Sequence, residues 1–238
     1  MTKKNKKPED KKEKIQEKEN NQNQFDKSKV YTIDEAIIWA KKLARAKFDE
    51  SLEVHIRLGI DPRKGDQQVR GAVSLPYGTG KTVRVAAFVT PEKEKEAKEA
   101  GADLVGGEDL IEEIKKTTKT NFEVAIAEPA MMRFLAPIAK ILGPRGLMPS
   151  PKNETVTTEP AKTIKELKKG KVSFKNDDTG NIHVAIGKLS FEDKKLKENF
   201  KVLIDALKKA KPPTSKGVYL RNVTISSTMG PGIKVSVV

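Results

Sequence analysis

Gly78-Thr79-Gly80-Lys81-Thr82-Val83-Arg84-Val85-Ala86-Ala87-Phe88-Val89 is where the pattern of the chain changes. Before it, apolar and polar residues alternate as in half-buried strands. From Val83 to Val89 the run is mostly apolar, as in a strand covered on both faces. Charged helix patterns and short apolar strands then take turns. Pro91–Ala100 reads as a helix opened by proline, 103–106 as a strand and Glu108–Lys116 as a helix. Phe122–Ala127 follows as a strand, then Pro129–Leu142 and Pro160–Lys169 as helices. This alternation predicts a parallel sheet layered with helices over about 78–170.

On either side the grammar is that of an α+β domain. Thr32 and Glu35 form a capping-box signature, and Ala36, Ile37, Ala40 and Leu43 follow at helical spacing to about Ala46. Leu52, Val54, Ile56 and Leu58 alternate with Glu53, His55 and Arg57, which predicts a strand with His55 on its solvated face. Gln68–Leu75 is a second strand, expected to pair with the first across the Gly59–Asp66 loop. After Gly170, strands at Lys171–Lys175 and Asn181–Leu189 flank an Asp177-Asp178-Thr179-Gly180 turn. A long helix covers Phe191–Ala210, and strands cover Gly217–Ser227 and Ile233–Val237. The expected fold is thus α/β with two domains. A discontinuous α+β domain spans 29–77 and 171–238, and an α/β/α module spanning 78–170 is inserted into it. The crossings at Tyr77-Gly78 and Gly170-Lys171 would form a hinge. Residues 1–28 are a polar Lys, Glu, Asn and Gln tract, expected to be a disordered basic tail.

Charge narrows the function. The 238 residues carry 47 Lys and Arg against 33 acids, a net +14. The excess sits in 1–29, with ten bases against six acids, and in 171–238, with thirteen against six. Such a balance points to a polyanion, nucleic acid above all. Without cysteine and with only His55 and His183, neither a disulfide framework nor a metal or cofactor site is expected. No apolar run is long enough to span a bilayer and no signal peptide opens the chain, so a cytoplasmic protein without membrane partners is expected.

Catalysis finds no seat. Gly78-Thr79-Gly80-Lys81-Thr82 looks like half of a phosphate-binding loop, but Leu75 stands where the earlier glycine is required, and a strand follows instead of a helix. A nucleotide-hydrolysing enzyme is the alternative that rests on this half-motif; a glycine hinge is the plainer reading. Gly143-Pro144-Arg145-Gly146-Leu147-Met148-Pro149 reads as a rigid, prominent loop. It either caps the module or presents Arg145. The hydroxyl-rich Thr224-Ile225-Ser226-Ser227-Thr228 runs into Met229-Gly230-Pro231-Gly232. That corner is either an ordinary turn or backbone exposed for a sugar-phosphate surface.

Taken in order, Val30–Ala36, Lys47-Phe48-Asp49-Glu50, Leu58–Pro62, Gly101–Gly107, the 143–149 loop and Thr228–Pro231 resemble the L-one family of bacterial large-subunit ribosomal proteins. The resemblance covers about 29–238 and implies a split RNA-binding domain with an inserted Rossmann-like domain. It further implies the mobile stalk near the tRNA exit site of the large ribosomal subunit and direct binding to large-subunit (23S-type) rRNA. Help in releasing deacylated exit-site tRNA and repression of translation through the protein's own operon mRNA follow from it too. By this resemblance the RNA contacts are Phe48 and Thr228-Met229-Gly230, with Lys47, Ser51, Lys175 and Asn222 around them. The family pattern has Thr at the position of Ser51 and Ser at that of Asn222; each exchange keeps a hydrogen-bonding side chain.

Overall fold

Thr32 starts the first element of the computed structural model, which describes residues 25–237. The Thr32 hydroxyl accepts from the Glu35 N–H (3.4 Å), and the Glu35 carboxylate accepts from the Thr32 N–H (3.0 Å), closing the capping box. Helix α1, Ile33–Leu43, buries Ala36, Ile37, Ala40 and Leu43. It stops three residues before the expected Ala46, because Ala44 is already extended. Strand β1, Ser51–Leu58, buries Leu52, Val54, Ile56 and Leu58 and leaves Arg57 exposed.

Strand β1 lies inside an antiparallel sheet. It pairs on one edge with β7, Asn181–Lys188, and on the other with β8, Leu220–Ser227; β9, Ile233–Lys234, adds to β8. The expected pairing of the first two strands is therefore wrong. Both edges of β1 are taken, so β2, Arg70–Ser74, pairs instead with β6, Lys171–Lys175. Strands β6 and β7 do not form a hairpin either. At the turn between them, Asp177 accepts from the N–H groups of Thr179 and Asn181 (2.9 and 2.7 Å). Burial works against the charged Asp177 carboxylate, but these bonds hold it far below the usual carboxylate range.

The described chain divides into two compact units. One comprises the described part of Met1–Gln67 with Asp177–Lys201 and Pro213–Val238; the other comprises Gln68–Asn176 and Val202–Pro212. The first holds α1 and the four-stranded sheet. Helix α7, Asp193–Lys209, runs through the division. Within the first unit its Asn199 side chain donates to the Ile186 carbonyl (2.8 Å) and its Leu196 packs at Gly187. Residues 1–24 of the expected tail lie outside the described residues. Phe25 stacks on Tyr31 with ring centroids 5.7 Å apart.

In the second unit β3, Val85–Phe88, is the centre of a parallel sheet between β4, Leu104–Gly106, and β5, Val124–Ala127. Alternate residues of β3 serve opposite faces. Ala86 and Phe88 pack with Ile111, Ile114, Leu135, Ile138 and Leu142. Val85, Ala87 and Val89 pack with Ala97, Ile164 and Leu167. Helices α2, Glu94–Glu99, α3, Glu108–Thr117, and α6, Pro160–Lys169, cover it. The helix expected over Pro129–Leu142 is broken into 3₁₀ turns and two short helices, α4, Met132–Leu135, and α5, Ala139–Leu142. Pro137 is the reason: it lacks the N–H and its ring crowds the preceding turn. The fold is mixed α/β.

The residues proposed as the two crossings meet inside this second unit. Gly78 (φ +63°) and Gly170 (φ +112°) both adopt backbone that side chains disfavour, and a Cβ on Gly170 would lie 2.3 Å from the Gly78 Cα. The Leu75 N–H donates to the Gly170 carbonyl nearby (3.2 Å). Gly170→Ala therefore combines left-handed strain with a backbone clash and is expected to destabilise by at least about 2 kcal/mol. A melting temperature lowered by several degrees checks this; an unchanged melt would show that the two backbones separate at no cost.

Candidate nucleic-acid interface

Period-two register places residue 50 on the same face as Leu52, Val54, Ile56 and Leu58. A carboxylate is thus driven into the core: Glu50 is only 1% exposed. It is satisfied there by backbone. One oxygen accepts from the Ala46 and Arg45 N–H groups (2.9 and 3.1 Å), just past the end of α1. The other accepts from the Met229 N–H (3.0 Å). Burial alone would raise the pKa of Glu50. The Ser227 hydroxyl and these three N–H donors reverse that and hold it below the usual carboxylate value. Ser227 assists through proximity, since its buried hydroxyl is not aligned as a full hydrogen bond to any group.

This carboxylate fixes the corner that follows β8. The Gly230 N–H donates to the Ser227 carbonyl (3.1 Å), so Thr228 and Met229 occupy the middle of a tight turn. A Cβ on Gly230 would lie 2.4 Å from the Ser227 Oγ, so a larger residue here requires the Ser227 hydroxyl to rotate away. Thr228 is locked to the start of β1: its N–H donates to the Ser51 carbonyl (3.1 Å), and its hydroxyl accepts from the Ser51 N–H (3.0 Å). Ser51 is buried.

The loop before β1 is pinned as firmly. Asp49 accepts from the Ser190 N–H (3.2 Å) and hydroxyl (2.8 Å), and Lys188 reaches the Asp49 carbonyl (3.1 Å). Phe48 projects between these anchors and is 58% exposed; Met229, across Glu50, is 66% exposed. Two large apolar side chains thus stand in water on braced backbone, at the end of the sheet where β1 begins and β8 ends. Lys47 is exposed beside Phe48 and makes no ion pair among the described residues.

The structure gathers Lys47, Phe48, Ser51, Thr228, Met229 and Gly230 at this one end of the sheet. It does not gather the other two. Asn222 is exposed at the far end of β8, opposite Arg57 and six residues from Thr228, roughly 20 Å away at strand rise. Between them a polar row faces outward: Asn222, Thr224 and Ser226 beside Arg57, His55 and Glu53. Lys175 is exposed at the end of β6, paired with Arg70 in the other unit.

His55 is not the simply solvated residue the pattern predicts. Its Nδ1 meets the His183 Nδ1 (2.8 Å) and its Nε2 meets the Ser226 hydroxyl (2.9 Å). Burial first, then the neighbouring His183, pushes its pKa down. The sequence pattern does not mark Glu50 as a site residue, although the strand's register places it on the core face.

Of the residues expected to form a hinge, Tyr77 is 41% exposed, while the Lys171 ammonium is held by Glu154 and Glu166 (2.5 and 2.9 Å). Burial would lower the Lys171 pKa, but the two carboxylates raise it. The half-motif at 78–82 leads through coil into β3, so no helix N-terminus stands behind it. In the 143–149 loop Leu147 and Met148 pack inward against the core, contrary to their expected prominence, and Arg145 bonds the Thr120 hydroxyl. No helix among the described residues is long and apolar enough to cross a membrane.

The chain is similar to known proteins along most of its length. The ribosomal protein L1p/L10e family model matches residues 40–231. Large ribosomal subunit protein uL1 of Kosmotoga olearia is 55% identical over 210 residues, 88% of this chain and 90% of that protein. Large ribosomal subunit protein uL1 of Mycoplasma capricolum subsp. capricolum is also 55% identical over 210 residues, 88% of this chain and 92% of that protein.

Glu50→Gln keeps the shape but loses the charged acceptor of three N–H groups. It is expected to cost about 2–3 kcal/mol at pH 7. Because the folded pKa of Glu50 lies below its ordinary 4.5, the wild type keeps this stabilisation above pH 4.5 and loses it as pH falls through the folded value. The gap between wild type and Glu50→Gln in urea melts should therefore shrink below pH 4.5. A gap constant down to pH 3 would show that the charge of Glu50 is not what stabilises the corner.

Proposed function

Because the chain belongs to the ribosomal protein L1p/L10e family, we propose that it binds large-subunit rRNA directly through the Phe48 and Met229 end of its four-stranded sheet. The protein is a structural constituent of the large ribosomal subunit and not an enzyme, and it works in the cytoplasm on the ribosome. The observation that carries the binding reading is the bracing of Phe48 and Met229. Two large apolar side chains are kept in water at the same end of the sheet, each on hydrogen-bonded backbone, and this pairing supports an interaction site there.

The chemistry suits RNA. Structured RNA is read by shape, by its 2′-hydroxyls and by faces of unstacked bases. The Phe48 ring and the Met229 thioether offer soft apolar faces to a base or sugar. The Thr228–Gly230 backbone allows close approach, and the outward row from Ser226 to Asn222 supplies small hydrogen-bonding groups. Lys47 and Lys175 would supply phosphate contacts, whose contribution falls with salt. Since Asn222 stands so far from the turn, RNA engaging both would lie along β8.

The remaining roles rest on family likeness and on the glycines. The chain forms the mobile stalk beside the exit site, with the 78–170 region an inserted domain that swings about Gly78 and Gly170 as deacylated tRNA leaves. Tyr77 and Lys171 flank these pivots; with Lys171 tied to Glu154 and Glu166, the motion falls to the two glycines. The same RNA surface, offered a similar element in the operon's own mRNA, would repress its translation.

In titrations with the rRNA stalk segment at physiological salt, Phe48→Ala is expected to weaken binding by about 1–3 kcal/mol, fivefold or more. Met229→Asp should weaken it further, and both should lose leader mRNA in parallel. No preference of the wild type for the stalk segment over a scrambled hairpin would overturn the binding reading. Loss of one RNA but not the other would overturn the shared surface.

A further inference from the structure

A cleft of about 450 Å³ opens beside the Met229 turn, lined by Phe25, Lys27, Leu43, Arg45, Met229, Gly230 and Pro231. We propose that it extends the RNA surface and takes one nucleotide of the bound RNA, its phosphate between Lys27 and Arg45 and its base or sugar against Phe25. This rests on the reading of the Met229 turn as an RNA-binding corner. Phe25 and Lys27 lie before residues 40–231, the span the family model matches.

The segment is held in place for such a role. Phe25 stacks on Tyr31 and packs against Trp39 (5.8 Å between ring centroids). The Tyr31 hydroxyl donates to the Asp26 carbonyl (3.1 Å). Tyr31 itself is tied to the last strand: its N–H donates to the Lys234 carbonyl (2.9 Å) and its carbonyl accepts from the Ser236 N–H (3.0 Å). The cleft therefore has a fixed aromatic wall, a buried floor at Leu43 and one side shared with the Met229 turn.

Charge selects the occupant. Lys27 and Arg45 are exposed and make no ion pair among the described residues. The acids nearby are engaged elsewhere. The Asp26 carboxylate faces the Ser28 N–H and hydroxyl (2.8 and 2.6 Å), the Glu35 carboxylate accepts the Thr32 N–H, and that of Glu50 is filled by backbone donors. Two exposed cations without an ion-pair partner among the described residues, at the rim of a part-apolar cleft, match a phosphate joined to a base. The volume, a few hundred cubic ångströms, is of the size that small-molecule sites have.

The test uses the full chain and the rRNA stalk segment, with affinity followed by anisotropy of labelled RNA across a salt series. Lys27→Ala with Arg45→Ala is expected to weaken binding about five- to tenfold and to reduce the salt slope by about one to two. Phe25→Ala removes no charge and should weaken binding with the slope unchanged. Lys115→Ala with Lys119→Ala, two exposed lysines of the other unit, should change neither. Lys27 and Arg45 are exposed, so the double variant keeps its fold and decides the matter even if Phe25→Ala unfolds. Wild-type affinity and slope in the double variant, with Met229→Asp still weakening binding, would overturn the cleft and leave the RNA corner standing. Wild-type binding by Met229→Asp would overturn the corner itself, and the cleft with it.

Discussion

A buried, ionised carboxylate holds the Phe48 and Met229 end of the four-stranded sheet together. Removing Glu50 from water carries a cost of several kcal/mol unless the charge is answered. Three backbone N–H groups answer it, two just past helix α1 and one in the turn after β8. Its own residue directly precedes strand β1. One side chain thus ties the end of α1 and the approach to β1 to a turn 179 residues later, and the backbone that carries Phe48 and Met229 is braced by it. Apolar side chains carried on braced backbone spare the backbone's ordering cost when they meet a partner.

The charge of the protein is deployed separately from this reading surface. Lys47 and the cations of the cleft sit at the edges, where phosphates would pass. The corner itself offers backbone, one thioether, one ring and hydroxyls. Electrostatic attraction of the lysines is long-ranged and indifferent to sequence, whereas the corner asks for a shape. In the other unit, glycines at 78 and 170 allow two backbones to touch where any Cβ would part them. That close approach explains why the polar Tyr77–Gly80 stretch carries glycine without forming a nucleotide site.

Much of the fold is legible because local rules and tertiary packing agree. The capping box at Thr32, the alternation of β1 and the apolar run of β3 each state their own environment. What fails is pairing. Nothing in β2 says that the edges of β1 are already occupied by β7 and β8, because that depends on residues more than a hundred positions away. The break at Pro137 is a plain consequence of a missing N–H, overridden in the sequence reading by helical spacing on both sides of it. At the site, the hydroxyl-rich run into Met229-Gly230 marks itself as either a turn or an exposed corner, and family likeness decides between the two and adds Phe48. Glu50 was accessible to physics alone, since an acid in phase with four buried aliphatic residues must be neutralised or hydrogen-bonded. The Phe25 segment lacks such a signal: one aromatic residue in a polar tract becomes meaningful only when Tyr31 and Trp39 are seen beside it.

The most direct measurement is amide hydrogen exchange at Met229, paired with stalk-RNA affinity, in wild type and Glu50→Gln under conditions where both are folded. Strong protection of the Met229 amide in the wild type is expected. In Glu50→Gln that protection should fall and RNA affinity should fall with it, although Phe48 and Met229 are both intact. Undiminished affinity in Glu50→Gln with an unprotected Met229 amide would contradict the role of the buried carboxylate. RNA recognition would then owe nothing to a braced corner.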